Sequence, residues 1–110
     1  MASAEDDKPI FSSRADDLDL RESIDQFVVG LAERVDRLQD ADGAGRLQEL
    51  AQLAGTLALE SASIGFEPLS RCAERVHQSA REGQPRDAHA LLIELSHLAQ
   101  RVRRGHRGSL

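Results

Sequence analysis

The strongest candidates in this chain for a nucleophile or a transition-metal ligand are four histidines and one cysteine. His89 and His97 are eight residues apart, about 80° around a helix axis, with no cysteine or carboxylate at ligand spacing between them. Cys72 falls on the inward side of its predicted helix, where a free thiol serves as a small apolar filler. The adjacent Asp16 and Asp17 are better explained as a helix cap than as an acid and base pair. We therefore predict no catalytic residues, no metal site and no cofactor.

Composition predicts a small helical protein that binds neither nucleic acid nor membranes. The 110 residues suffice for one domain, and the aromatic residues, 3% of the chain, are all Phe. Apolar residues are mostly Leu, Ala and Val, which favours helices over sheets. The net charge is −5, and although the last ten residues contain four arginines, they lack the aromatic platform of a nucleic-acid site. No segment is typical of a membrane span or a secretory signal, and the lone cysteine suits a cytoplasmic protein.

Apolar residues recur at spacings of three and four in four segments, separated by connections rich in Gly and Pro. Short connections between amphipathic helices predict an all-α, antiparallel up-down four-helix bundle over residues 14–104. Residues 1–13 are expected to be disordered or loosely ordered, and residues 105–110 to form a flexible basic tail. The predicted helices run from Leu18 to Ala41, from Arg46 to Ser63, from Glu67 to Glu82 and from Arg86 to Arg103.

The second predicted helix has an unusually uncharged outer face. Residues 50–66 carry a single charge, Glu60, although 30% of the whole chain is charged. At about 100° per residue, a stripe of small and uncharged residues lies opposite the apolar side of this helix. Small residues let another backbone approach closely, although Ala is also simply the best helix former. The predicted partner-binding residues on this stripe are Gln48, Ala51, Gln52, Gly55, Ala58 and Leu59.

From about Ile10 to Arg104 the chain resembles a histidine-containing phosphotransfer (HPt) domain. The helix-two pattern of that family is His-x-Leu-Lys-Gly, followed by small residues and then by an apolar residue and a Gly that open the turn into helix three. Residues 53–67, Leu-Ala-Gly-Thr-Leu-Ala-Leu-Glu-Ser-Ala-Ser-Ile-Gly-Phe-Glu, align with this pattern without a gap. Leu57, Ile64 and Gly65 match it. The resemblance implies a four-helix bundle that acts in two-component phosphorelay signalling.

The departures from the family pattern lie where the chemistry would be. Gly55 stands where the family has its phosphorylated His, Ala58 where it has a supporting Lys, and Leu59 where it has Gly. The resemblance therefore implies a degenerate, pseudo-HPt domain, because phosphoryl transfer needs a nucleophilic nitrogen. In the family architecture none of the other histidines is expected on the helix-two face; they are His77 on helix three, His89 and His97 on helix four, and His106 in the tail.

These features predict a protein-interaction module rather than an enzyme. Through the outer face of helix two, the chain would dock a receiver domain or a histidine kinase without accepting phosphate. Two alternatives remain. The same face could pack against a second copy in a homodimer, or a relocated histidine could keep phosphotransfer activity.

Overall fold

The computed structural model describes residues 8–108 and contains four α-helices within that range. A 3₁₀ turn over Leu18–Leu20 precedes α1 (Arg21–Gly43), and α2 (Leu47–Ser63), α3 (Glu67–Arg81) and α4 (Pro85–Gly108) follow. No residue of the described range lies in a strand. The prediction of an all-α four-helix bundle is confirmed. The predicted and observed starts of the helices differ by no more than three residues.

Each helix packs against the helix that follows it, and α4 packs back against α1, so that the four helices enclose one core. Every helix contributes large side chains that are almost completely buried, as expected for a bundle in which each helix has one apolar stripe. These central residues are Leu31 and Leu38 of α1, Leu50 and Leu57 of α2, Leu69 and Val76 of α3, and Leu95 and Val102 of α4.

The turn between α2 and α3 depends on Gly65. Its φ angle of +86° lies in the left-handed region that disfavours residues with a Cβ. A Cβ added there would also lie 2.7 Å from the Ser12 hydroxyl oxygen, because the N-terminal segment crosses this turn. The Ser12 hydroxyl donates a hydrogen bond to the carbonyl of Ile64, and the Ser13 amide donates one to the carbonyl of Gly65 over 2.8 Å. The segment before α1 is thus attached to the α2–α3 turn.

The two ends of the chain differ from the sequence expectation in the part that is described. Residues 8–13 pack on the bundle rather than lying loose: the Ile10 amide donates to the Arg101 carbonyl over 2.9 Å, and the Arg101 Nε donates to the Lys8 carbonyl over 2.8 Å. A Cβ at Gly105 would lie 2.6 Å from the Ile10 carbonyl oxygen, so this glycine lets the segment approach α4. The helix α4 extends to Gly108 and takes up most of the expected tail. Residues 1–7 and 109–110 of the two expected flexible ends lie outside the described residues.

None of the helices in the described part of the chain combines the length and the apolar character needed to cross a bilayer.

Candidate functional site

The predicted partner-binding stripe of α2 is exposed only in part. Gln48 and Gln52 are exposed, and Leu59, at 76%, is one of five large apolar side chains that are exposed among the described residues. The prediction was wrong for Ala51 and Ala58, which are only 5% and 4% exposed and belong to the core. The remaining member, Gly55, is half-buried. We call the exposed residues Gln48, Gln52 and Leu59 the α2 ridge.

The two alanines are buried because α3 lies over their side of α2. Ser70 of α3 donates a hydrogen bond from its hydroxyl to the Ala58 carbonyl over 2.7 Å. Two helical turns before Ala58 on α2, the Ala51 carbonyl oxygen lies 2.7 Å from Nδ1 of His77, which also belongs to α3. Small side chains on α2 are what allow polar groups of α3 to reach the α2 backbone this closely. Much of the small-residue stripe therefore serves packing within the chain.

The histidine of α3 also accounts for the glycine in the middle of α2. A Cβ built on Gly55 would lie 2.9 Å from Nδ1 and 3.2 Å from Cε1 of His77. Real Cβ atoms do not approach other heavy atoms so closely, so any other residue at position 55 would force the ring to move. The expectation that none of the histidines lies on the outer face of helix two stays a prediction, although His77 does contact α2 at Ala51 and Gly55, on the side that α3 covers.

The hydrogen bond to Ala51 determines which ring nitrogen of His77 carries the proton. A carbonyl oxygen can only accept, so Nδ1 must donate, and the neutral ring then has its lone pair on Nε2. Nε2 has no hydrogen-bond partner among the described residues. The described part of the chain also contains no buried side-chain nitrogen or oxygen without a partner. Nε2 of His77 is therefore not fully buried, although the residue as a whole is half-buried.

A family model described as "Hpt domain" matches residues 22–105, which include α2, α3, most of α1 and α4, and the site around Gly55. The chain belongs to the HPt domain family. HPt domains are phosphotransfer modules rather than catalytic enzymes, and they interact with receiver domains and kinases in phosphorelays. Membership thus indicates a part in phosphorelay signalling. Neither the curated proteins nor the solved structures contain a significant match to the chain.

Glu60, the one charged residue of positions 50–66 in this HPt domain, is neutralised by α1. Arg34 forms a two-point ion pair with Glu60, with Nη1 to Oε2 at 2.5 Å and Nη2 to Oε1 at 2.6 Å. The same guanidinium lies 5.8 Å from the centre of the Phe27 ring. The hydrogen bonds from Arg34 lower the pKa of Glu60, although burial acts in the opposite direction. Because Glu60 is paired, the α2 ridge presents amide and apolar groups without a free charge.

The other groups considered for chemistry in this HPt domain are placed in structural roles. Cys72 is buried on the inward side of α3, and its pKa is raised to about 11, chiefly by desolvation. His89 and Asp42 form a hydrogen bond of 2.5 Å between α4 and the end of α1. His97 is exposed on α4. Within the described residues, no group of three His, Cys, Asp or Glu side chains is arranged to hold a metal ion.

Proposed function

We propose that this HPt domain is a docking module of a phosphorelay, which binds a receiver domain or a histidine kinase through the α2 ridge and carries no phosphate on α2. The observation that supports the absence of phosphate on α2 is Gly55, which offers no side chain at the family position of the phosphoacceptor. The observation that supports docking is Leu59, one helical turn after Gly55, which exposes 76% of its surface as an apolar anchor.

The chemistry of the α2 ridge defines the kind of partner surface that it would fit. Ala58 replaces the cation of the family pattern, and Glu60 is already paired with Arg34. Long-range attraction to the acidic pocket of a receiver is therefore weak, and affinity has to come from burial of Leu59 and from hydrogen bonds to Gln48 and Gln52. Such a partner would present an apolar pocket with polar groups around it. Its binding would depend little on salt.

The test is a binding measurement in which the same charge is introduced at two exposed apolar positions, one on the α2 ridge and one away from it. The receiver domains and kinase dimerisation domains of the source organism are titrated against the full chain and against Leu59→Glu and Ile93→Glu. Ile93 lies on α4 and is 50% exposed, so the control introduces the same charge away from the α2 ridge. We expect Leu59→Glu to weaken binding at least about tenfold, the effect of losing about 1.4 kcal/mol, and Ile93→Glu to leave it unchanged.

The homodimer is the alternative for the same surface, and the same variants distinguish it. Light scattering at micromolar concentration should give a monomer if the α2 ridge is kept for a different protein. A dimer that Leu59→Glu dissociates, together with no binding to any receiver or kinase domain, would replace the docking proposal with a symmetric scaffold.

A further inference from the structure

We propose that Nε2 of His77 is a phosphoacceptor nitrogen, supplied to the α2 surface by α3 in place of the side chain that Gly55 lacks. The inference extends the proposed function, since the phosphoryl donor would be a receiver domain docked on the α2 ridge. It departs from the sequence-based expectation of a module that takes no phosphate at all.

The first observation is the position of the ring. Its Nδ1 and Cε1 occupy the space in which a side chain of residue 55 would begin, at 2.9 Å and 3.2 Å from the Cβ position of Gly55. The imidazole therefore lies against α2, beside the residue that aligns with the family's phosphoacceptor. Leu59 of the α2 ridge is one helical turn after Gly55, so a receiver docked over Leu59 would be near this ring, which comes from a different helix.

The second observation is the state of the ring. Donation from Nδ1 to the Ala51 carbonyl over 2.7 Å fixes the tautomer and the ring orientation. The lone pair is consequently on Nε2, which is not fully buried and has no partner among the described residues. A histidine oriented through one nitrogen by a hydrogen-bond acceptor, with the other nitrogen open, has the arrangement of an activated nucleophile.

The third observation concerns the charges around the ring. Arg81 lies one turn after His77 on α3, is exposed, and has no ion-pair partner in the part of the chain that the structure describes. Glu74 lies one turn before His77 and is exposed as well, so the cationic and anionic neighbours are on opposite sides along the helix. On α2, Gln52 adds an exposed amide that can donate a hydrogen bond to a phosphoryl oxygen.

The reaction that follows is a direct transfer from an aspartyl phosphate. The Nε2 lone pair of His77 attacks phosphorus and forms an N–P bond, while the bond between phosphorus and the aspartyl oxygen breaks. The aspartyl carboxylate leaves with that electron pair. The ring proton stays on Nδ1, so that the phosphorylated ring is cationic and its N–H still donates to Ala51. No proton has to be removed before the attack.

The first experiment uses each receiver domain of the source organism, loaded with ³²P from acetyl phosphate, as the donor. We expect label to move to the wild-type chain and to His97→Gln, a control at an exposed histidine of α4, with loss of transfer to His77→Gln. Mass-spectrometric mapping on the wild-type chain should place the phosphate on His77. Label that persists in His77→Gln or maps to another residue would overturn the inference. A receiver that binds without transferring label would overturn it too, while leaving docking intact.

The second experiment does not need a docked partner, and so separates the two proposals. The wild-type chain is treated with phosphoramidate, in which attack by a nitrogen on phosphorus releases ammonia, and the modified residues are mapped. Phosphate on Nε2 of His77 supports the inference even if no receiver binds and docking fails. Modification of the exposed His97 with none on His77 would show that Nε2 is closed to a phosphoryl donor, and would overturn it.

Discussion

Replacement of Gly55 by Ala should destabilise this protein, although a glycine in a helix interior is normally improved by Ala. The general gain from such a change is about 1 kcal/mol. Here the new Cβ would lie 2.9 Å from His77 Nδ1, so the ring has to move and its 2.7 Å hydrogen bond to Ala51 is lost. Loss of that bond costs about 1 kcal/mol, and overpacking against the ring costs about 1–2 kcal/mol more. The expected net loss in the free energy of unfolding is about 1–2 kcal/mol.

The sign should reverse when the ring is absent. In a His77→Ala background nothing opposes the new Cβ, so Gly55→Ala should stabilise by about 1 kcal/mol, and a double-mutant cycle would give a coupling of about 2–3 kcal/mol. Gly30 supplies the matched control, because it lies inside α1 and a Cβ built there meets nothing within 4 Å. Gly30→Ala should stabilise by about 1 kcal/mol in both backgrounds.

The assay is urea unfolding of the wild type, the three single variants and the two double variants, followed by circular dichroism. The comparison between positions 55 and 30 removes the shared contribution of helix propensity. If Gly55→Ala stabilises the wild type as much as Gly30→Ala does, His77 does not occupy the space over Gly55 and the reasoning about the site fails.

Three further predictions concern groups outside the site. Gly65→Ala should lower the free energy of unfolding by about 2–3 kcal/mol, more than Gly83→Ala does, since both glycines have positive φ but only the Cβ at position 65 meets another group, 2.7 Å from the Ser12 hydroxyl, whereas that at position 83 meets nothing within 4 Å. Equal losses for the two variants in urea unfolding would contradict this. Because the pKa of Glu60 is lowered, its ion pair stabilises the fold at pH values above the ordinary pKa of 4.5, and this contribution is lost as pH falls through the folded-state pKa. The difference in the free energy of unfolding between wild type and Arg34→Gln, about 1 kcal/mol or less for this partly exposed pair, should therefore shrink in acid. Cys72, buried and with its pKa raised to about 11, should react with iodoacetamide at pH 8 far more slowly in the native chain than in urea, and equal rates would contradict its placement.

The bundle was predictable because its signals are local. Apolar spacings of three and four mark each helix, and Gly and Pro mark the connections, so the helix order and most of the core could be read from neighbouring residues. The chain ends were less predictable. Residues 105–110 were expected to form a flexible basic tail, whereas α4 continues to Gly108 and Gly105 admits the carbonyl of Ile10, a residue from the opposite end of the chain.

The candidate site was predictable only as a position on α2. Helical periodicity shows which residues share a face, but it does not show where the neighbouring helix ends and solvent begins, and for that reason Ala51 and Ala58 were assigned to the wrong side. His77 is 22 positions from Gly55, and its approach depends on how α3 lies on α2. The one sign of this contact in the sequence is Gly55 itself, a glycine in the interior of a helix where no turn requires it.

The contact with His77 gives Gly55 a role within the bundle. A site that had merely lost its histidine would be more stable with Ala at position 55, because Ala favours the helix and small size alone would suffice for a partner. Glycine lets the ring of His77 keep its place and its hydrogen bond to Ala51, because a Cβ at position 55 would lie 2.9 Å from Nδ1. Gly55 therefore belongs with His77 as one unit of two helices, and its small size is explained without contact to an external protein. Docking is supported instead by Leu59, a large apolar side chain that the rest of the described chain leaves 76% exposed.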